Sequence, residues 1–269
     1  TRISMSILRH FLGLKNKPNP LLEHCTVGAG THVGRMREHN EDAYICICNP
    51  WDNALLLGVA DGMGGHEGGE IASYLATRSL MASWNKNGHA QFRNKSAVRG
   101  FLDHGLANAN RQIYAINKKL NIRWKMGTTA TIGIVWRNKL TVAQVGDSRC
   151  YRMRNGAICL LTSDHNWMNE MIESGGMTAE EAEAHPLAET LTNCLGTFEH
   201  LRIEFCEYTI AKGDRYLFCS DGVSSYIDTA LISEQLNAYD TATQSVDNLV
   251  NVSLTNSGAD NITAVCLFV

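Results

Sequence analysis

Proline is scarce, with four in 269 residues. Charged residues make up only 19% of the chain and hydrophobic ones 44%. Together these figures argue against long disorder and leave ample material for a core. An excess of positive charge is also lacking. The formal net charge is −3 and no basic stripe appears, so nucleic-acid binding is not expected as the main activity. No apolar run approaches the ~20 residues that a membrane-spanning helix requires. The nine cysteines include no C-x-x-C pair, which removes zinc-ribbon and thioredoxin-like readings. Their odd number and apolar surroundings read as reduced, buried thiols of a cytoplasmic protein. No repeat period is visible.

What is present begins with TRISMSILRHFLGLKNK, where Ile3, Ile7, Leu8, Phe11, Leu12 and Leu14 fall roughly on one helical face. No small-residue cleavage site follows, so a secretory signal fits poorly. The expectation is an amphipathic extension over 1–22 that docks on the domain, with a partner or membrane surface as the alternative. KPNP reads as a linker. From residue 23 to 269 the pattern is that of one α+β domain. HCTVGAGTHVG, DAYICIC and ALLLGVA predict strands. GGEIASYLATRSLMASW predicts a helix with Ile71, Leu75, Ser79 and Ala82 on one side, and AVRGFLDHGLANANRQIYAINKKL predicts a longer one. Four short strands follow, with turns at RNK, GDS and RNG. A polar insert over 164–196 carries T-A-E-E, in which Thr178 reads as a helix cap with Glu181 three residues on. Two more strands, two helices and a last strand, NITAVCLFV, complete the order.

The glycine-rich stretch GVADGMGGHEGGE at 58–70 suggests a phosphate loop, but it lacks both the G-K-[ST] ending and the G-x-G-x-x-G register. Its aspartate is the more informative residue. Asp61 ends one predicted strand, Asp147 follows another, Asp221 a third, and Asp260 precedes the last; Glu41 and Asp42 begin a further one. A single D-G pair is an ordinary turn. Several acids at strand ends can instead converge on the rim of a sheet stack, where they repel unless a cation neutralises them. An all-oxygen donor set favours Mg²⁺ or Mn²⁺ over zinc. The glycines then let backbone come close to the site beside Asp61.

Eight segments in fixed order carry a family resemblance: R-E-H-N-E-D at 37–42, V-A-D-G-M-G-G-H at 59–66, G-T-T-A-T at 127–131, V-G-D-S-R at 145–149, T-S-D-H at 162–165, T-A-E-E-A-E-A-H-P at 178–186, C-S-D-G at 219–222 and G-A-D-N-I-T at 258–263. In these the chain resembles the bacterial form of the metal-dependent serine/threonine protein phosphatases of type 2C, the PPM family. The resemblance implies a four-layer α-β-β-α sandwich: two antiparallel sheets flanked by helix pairs, with a metal site at one end. It also implies that Asp61 bridges two metal ions, that the Gly62 carbonyl binds one of them, and that Asp221 and Asp260 complete the first ion while Glu41 and Asp42 serve the second. Arg37 matches the phosphate-binding arginine. His66 is the candidate acid for the leaving alkoxide; His39 and His165 are expected to be solvated loop histidines. Asp147 matches a ligand of a third ion, although the position four after Asp221, often an aspartate, is Ser225 here. The insert resembles the flap beside the active site, but Leu187, Ala188 and Glu189 stand where an arginine is common.

The implied activity is hydrolysis of phosphoserine and phosphothreonine in proteins by a metal-activated water, reversing a bacterial-type kinase. The expected state is a monomer. No H-C-x₅-R nucleophile motif occurs, so no covalent phospho-enzyme is expected. Two alternatives are a pseudophosphatase that binds phosphoproteins without turnover and a hydrolase of small phosphoesters.

Overall fold

A computed structural model describes residues 25–49, 53–64, 68–86, 92–120 and 125–269. The extension over 1–22 and His66 lie outside the described residues. Twelve strands are seen: β1 (Thr26–His32), β2 (Ala43–Asn49), β3 (Ala54–Ala60), β4 (Gly62–Met63), β5 (Gly127–Thr128), β6 (Ala130–Trp136), β7 (Lys139–Val145), β8 (Arg149–Arg154), β9 (Ala157–Leu160), β10 (Glu204–Thr209), β11 (Arg215–Cys219) and β12 (Ile262–Phe268). The helices are α1 (Gly68–Lys86), α2 (Lys95–Leu120), α3 (Trp167–Glu173), α4 (Ala179–Glu183), α5 (Asp221–Ser224), α6 (Thr229–Ala238) and α7 (Ala242–Asn256).

Ten strands form two five-stranded antiparallel sheets, ordered β1-β12-β11-β8-β9 and β10-β7-β6-β3-β2; β4 and β5 pair separately. Three apolar interfaces account for four layers. Leu57, Val59, Val142, Tyr216, Phe218 and Val265 fill the space between the sheets. Leu56, Ile132 and Ile134, on the other face of the second sheet, pack with Ala76, Leu80, Leu102 and Leu106 of α1 and α2. Cys219, Ala264 and Cys266 of the first sheet pack with Ile232, Leu236, Val246 and Leu249 of α6 and α7. Central strands buried on both faces read as continuous apolar runs, and β3, β6 and β12 are buried at every position. Cys150, Cys194, Cys219 and Cys266 are buried free thiols.

Two details depart from the sequence reading. β1 and β2, consecutive in the chain, belong to opposite sheets, so the polar segment between them crosses from one sheet to the other. On α1, Ile71 is 44% exposed, whereas Ala72, Ala76, Leu80 and Trp84 are buried. Small residues, Ala72 and Ala76, share the inward face with Leu80 and Trp84. Two short helices and the cap read at T-A-E-E are present in the segment 164–196. Thr178 caps α4, Glu181 returns the bond to the Thr178 N–H, and α3 precedes them with Asn166 as its cap.

Candidate active site

Antiparallel pairing puts particular strand ends side by side. Ala60 pairs with Ala43, Ala130 with Val145, His32 with Ile262, and Cys219 with both Arg149 and Ala264. Every predicted acid therefore lies at the same end of the sandwich: Glu41 and Asp42 before β2, Asp61 after β3, Asp147 between β7 and β8, Asp221 after β11 and Asp260 before β12. Glu41, Asp61, Gly62, Asp147, Asp221 and Asp260 line one cavity of about 1010 Å³, together with Arg37 and His39. Asp42 sits behind this wall.

Backbone and neighbouring side chains fix these acids. The Asp61 N–H donates to Thr129 Oγ1 at 2.9 Å, and the Thr129 N–H donates to the Asp61 carbonyl at 2.8 Å. The Glu41 N–H donates to Asn261 Oδ1 at 2.7 Å, while the Asn261 amide donates to the carbonyls of Val33 and His39 at 2.8 and 2.9 Å. Asn261 thus ties the crossing loop to the start of β12. Glu41 Oε1 accepts the Gly69 N–H at the start of α1 at 3.2 Å. Ser220 Oγ donates to Asp42 Oδ2 at 2.8 Å. At Gly62 a Cβ would lie 2.2 Å from the Gly69 carbonyl oxygen and 2.4 Å from that of Glu41, so only glycine allows this approach. The sequence reading gave no roles to Thr129, Ser220 or Asn261. Their only sequence signal is a polar residue beside each apolar run, which turns share.

The electrostatics are strained. Burial raises Asp61 well above the ordinary carboxylate value, and the charges of Asp221 and Asp42 push it further. Burial raises Asp42 to about 7, against the bonds from Thr263 and Ser220. Burial and the charge of Asp221 raise Asp147 to about 7. Asp221 and Glu41 are also raised, burial being the main cause. Two carboxylate oxygens, Asp42 Oδ1 and Asp221 Oδ1, are buried with no hydrogen-bond partner among the described residues, a costly condition for so polar a group. Arg37 reaches across to Asp260 Oδ2 at 2.8 Å. Among the described residues, no three acidic, histidine or cysteine side chains close tightly enough on one point to hold an ion.

His165 corrects the reading of a solvated loop histidine. It is 1% exposed. Its Nδ1 faces the Gly146 N–H at 3.2 Å and the Asn193 amide at 2.8 Å, and its Nε2 lies 3.2 Å from Glu204 Oε1. It braces the root of the insert against the β7–β8 turn. His39 is exposed on the cavity wall.

Known proteins match this chain along most of its length. The family model described as Protein phosphatase 2C matches residues 29–265. The protein phosphatase PhpP of Streptococcus pneumoniae is 32% identical over 233 residues, covering 87% of this chain and 93% of the relative. A serine/threonine phosphatase of S. agalactiae has a solved structure that matches with a TM-score of 0.85 at 29% identity, covering 91% of this chain and 100% of that one. The catalytic domain of the phosphatase PstP, solved in complex with two manganese ions, matches with a TM-score of 0.77 at 28% identity over 91% of this chain and 97% of that one.

Proposed function

From the premise that the chain belongs to the protein phosphatase 2C family, and is therefore a protein-serine/threonine phosphatase, we propose that it hydrolyses phosphoserine and phosphothreonine esters by direct attack of water, with two divalent cations held in the acidic cavity. The observation that carries the reading is the pair of buried oxygens on Asp42 and Asp221 without a partner among the described residues, in a wall of raised carboxyls. Hard cations with all-oxygen ligands relieve that condition. Asp61, the Gly62 carbonyl, Asp221 and Asp260 would hold one ion; Asp61, Glu41 and Asp42 would serve the second. A cation pair of this kind supplies Lewis acidity toward phosphoryl oxygens and makes hydroxide available at neutral pH.

The chain's own groups do the rest. Arg37 is 51% exposed at the cavity wall, and its planar guanidinium can hold two phosphoryl oxygens at once. Here it pairs with Asp260. The leaving alkoxide needs a proton; His66 is the proposed donor. Asp147 is the proposed ligand of a third ion, with Ser225 unable to supply a carboxylate beside it. The natural counterpart is a bacterial-type serine/threonine kinase that installs the phosphate removed here.

Phosphate release from a phosphothreonine peptide tests the reading. Release is expected with Mn²⁺ or Mg²⁺ and none with EDTA. Asp61→Asn is expected to lose at least about a hundredfold in kcat while remaining folded by circular dichroism. Cleavage of a small aryl phosphate without any cleavage of phosphopeptide would overturn the protein-substrate assignment.

A further inference from the structure

The inner acids of the cavity are accounted for by cations and Arg37. Two carboxylates at its mouth are not. Glu38, on the crossing loop, and Glu189, on the insert, both line the cavity, and both are exposed. Neither forms an ion pair among the described residues. The same mouth presents two large apolar side chains to solvent: Met36 is 75% exposed and Phe198 is 48% exposed. An exposed aromatic beside an active site is a contact surface in waiting.

Phe198 is not exposed through looseness of its loop. The Phe198 carbonyl accepts from the Asn110 amide at 3.0 Å, and Asn110 Oδ1 accepts the Gly196 N–H at 2.7 Å. One turn pair along α2, Asn117 donates to the Gly196 carbonyl at 2.9 Å. Both asparagines are buried. Gly196 itself has φ +91° and lies where a Cβ would meet Ile113 at 2.2 Å. The ring is therefore held on a fixed platform, and little entropy is lost when a ligand covers it.

Resting on the phosphatase reading, we infer that this mouth selects phosphoproteins with an arginine or lysine close to the phosphorylated residue, Glu189 supplying the charge and Phe198 the aromatic face. A long basic side chain can lay its stem and cation on Phe198 while its charge faces Glu189. An acidic flank meets Glu38 and Glu189 and is repelled. Steering by these exposed charges weakens as salt rises.

The experiment compares two phosphothreonine peptides that differ only in arginine or glutamate on either side of the phosphoresidue. The unmodified enzyme with Mn²⁺ is expected to favour the arginine peptide by about tenfold in kcat/KM, combining an exposed ion pair with a cation–π contact. The difference should reside in KM. Glu189→Arg should abolish or invert the preference; Phe198→Ala should reduce it, and Phe198→Tyr should restore it. Binding of both peptides to Asp61→Asn by calorimetry gives a readout without turnover and should show the same order. Equal cleavage of both peptides, or a preference untouched by Glu189→Arg, overturns the inference and leaves the phosphatase reading standing. Cleavage of neither overturns both.

Discussion

Asp214 shows how a single buried acid is satisfied without a cation, which sets it apart from the cavity acids. Its carboxylate is 1% exposed. It accepts two bonds from Arg154 at 2.6 Å, one from the Ala211 N–H at 2.8 Å and one from the Tyr216 hydroxyl at 2.8 Å. Burial alone raises it, but those bonds outweigh burial and hold it below the ordinary aspartate value of 3.8. A carboxyl depressed in the folded state contributes stability that is complete above its unfolded value and lost as pH falls through its folded value. The wild-type protein should therefore lose part of its stability below about pH 4, and Asp214→Asn should flatten that limb of the unfolding curve. Asp214→Ala should cost about 1–3 kcal/mol at pH 7 for the buried Tyr216 hydroxyl left without an acceptor. Urea unfolding at several pH values reads both. The cavity acids run the other way: they are raised, and oxygens of Asp42 and Asp221 lack a partner among the described residues.

Among the elements, α2 connects packing to the active site. Val98, Leu102, Leu106, Ala109 and Ile113 form its buried face, and that periodicity is plain in the sequence. Asn110 and Asn117 interrupt it, and nothing in the sequence marks them as anything but polar residues on a helix. In the structure Asn117 accepts the Met126 N–H and donates to the carbonyls of Met126 and Gly196, pinning the segment that carries Phe198. Asn117→Ala should cost about 1–3 kcal/mol for each buried group left unpaired. Hydrogen exchange should quicken around Gly196 and Phe198 well before the central strands. Unchanged exchange there would show that the platform is held by packing alone. The same limit explains the misread face of α1. Its inward residues include Ala72, Ser73, Ala76 and Thr77 as well as Leu80 and Trp84, so hydrophobicity selects Ile71, while packing in the structure turns the small side chains inward instead. Caps were legible because they depend on neighbours three residues apart; the asparagine clamps were not, because their partners lie as many as 89 residues away.

At the scale of the whole molecule, the acidic rim joins the two sheets. Glu41, Asp42 and Asp61 belong to ends of β2 and β3, Asp221 and Asp260 to ends of β11 and β12, and Asp147 lies in the turn that passes from one sheet to the other. Strand order in the sequence indicated that acids stand at strand ends. It did not indicate that β1 and β2 part company between sheets, and that crossing is what lets the loop carrying Arg37 span the open end. Cations bound there would fasten one sheet to the other as well as serve chemistry. Mn²⁺ at a hundred times its Kd should then stabilise the fold by about 2.7 kcal/mol, a rise on the order of 5–10 °C in melting temperature for a domain of this size. EDTA should reverse it. Asp61→Asn should act in opposite senses on the two states. Without metal it removes a strained buried acid and should raise the melting temperature by about 2–4 °C for each kcal/mol relieved; with Mn²⁺ it should show little further rise. A metal-free Asp61→Asn protein that melts below the wild type would mean the buried carboxyl is already well satisfied, and that the rim has no need of cations to hold its charge.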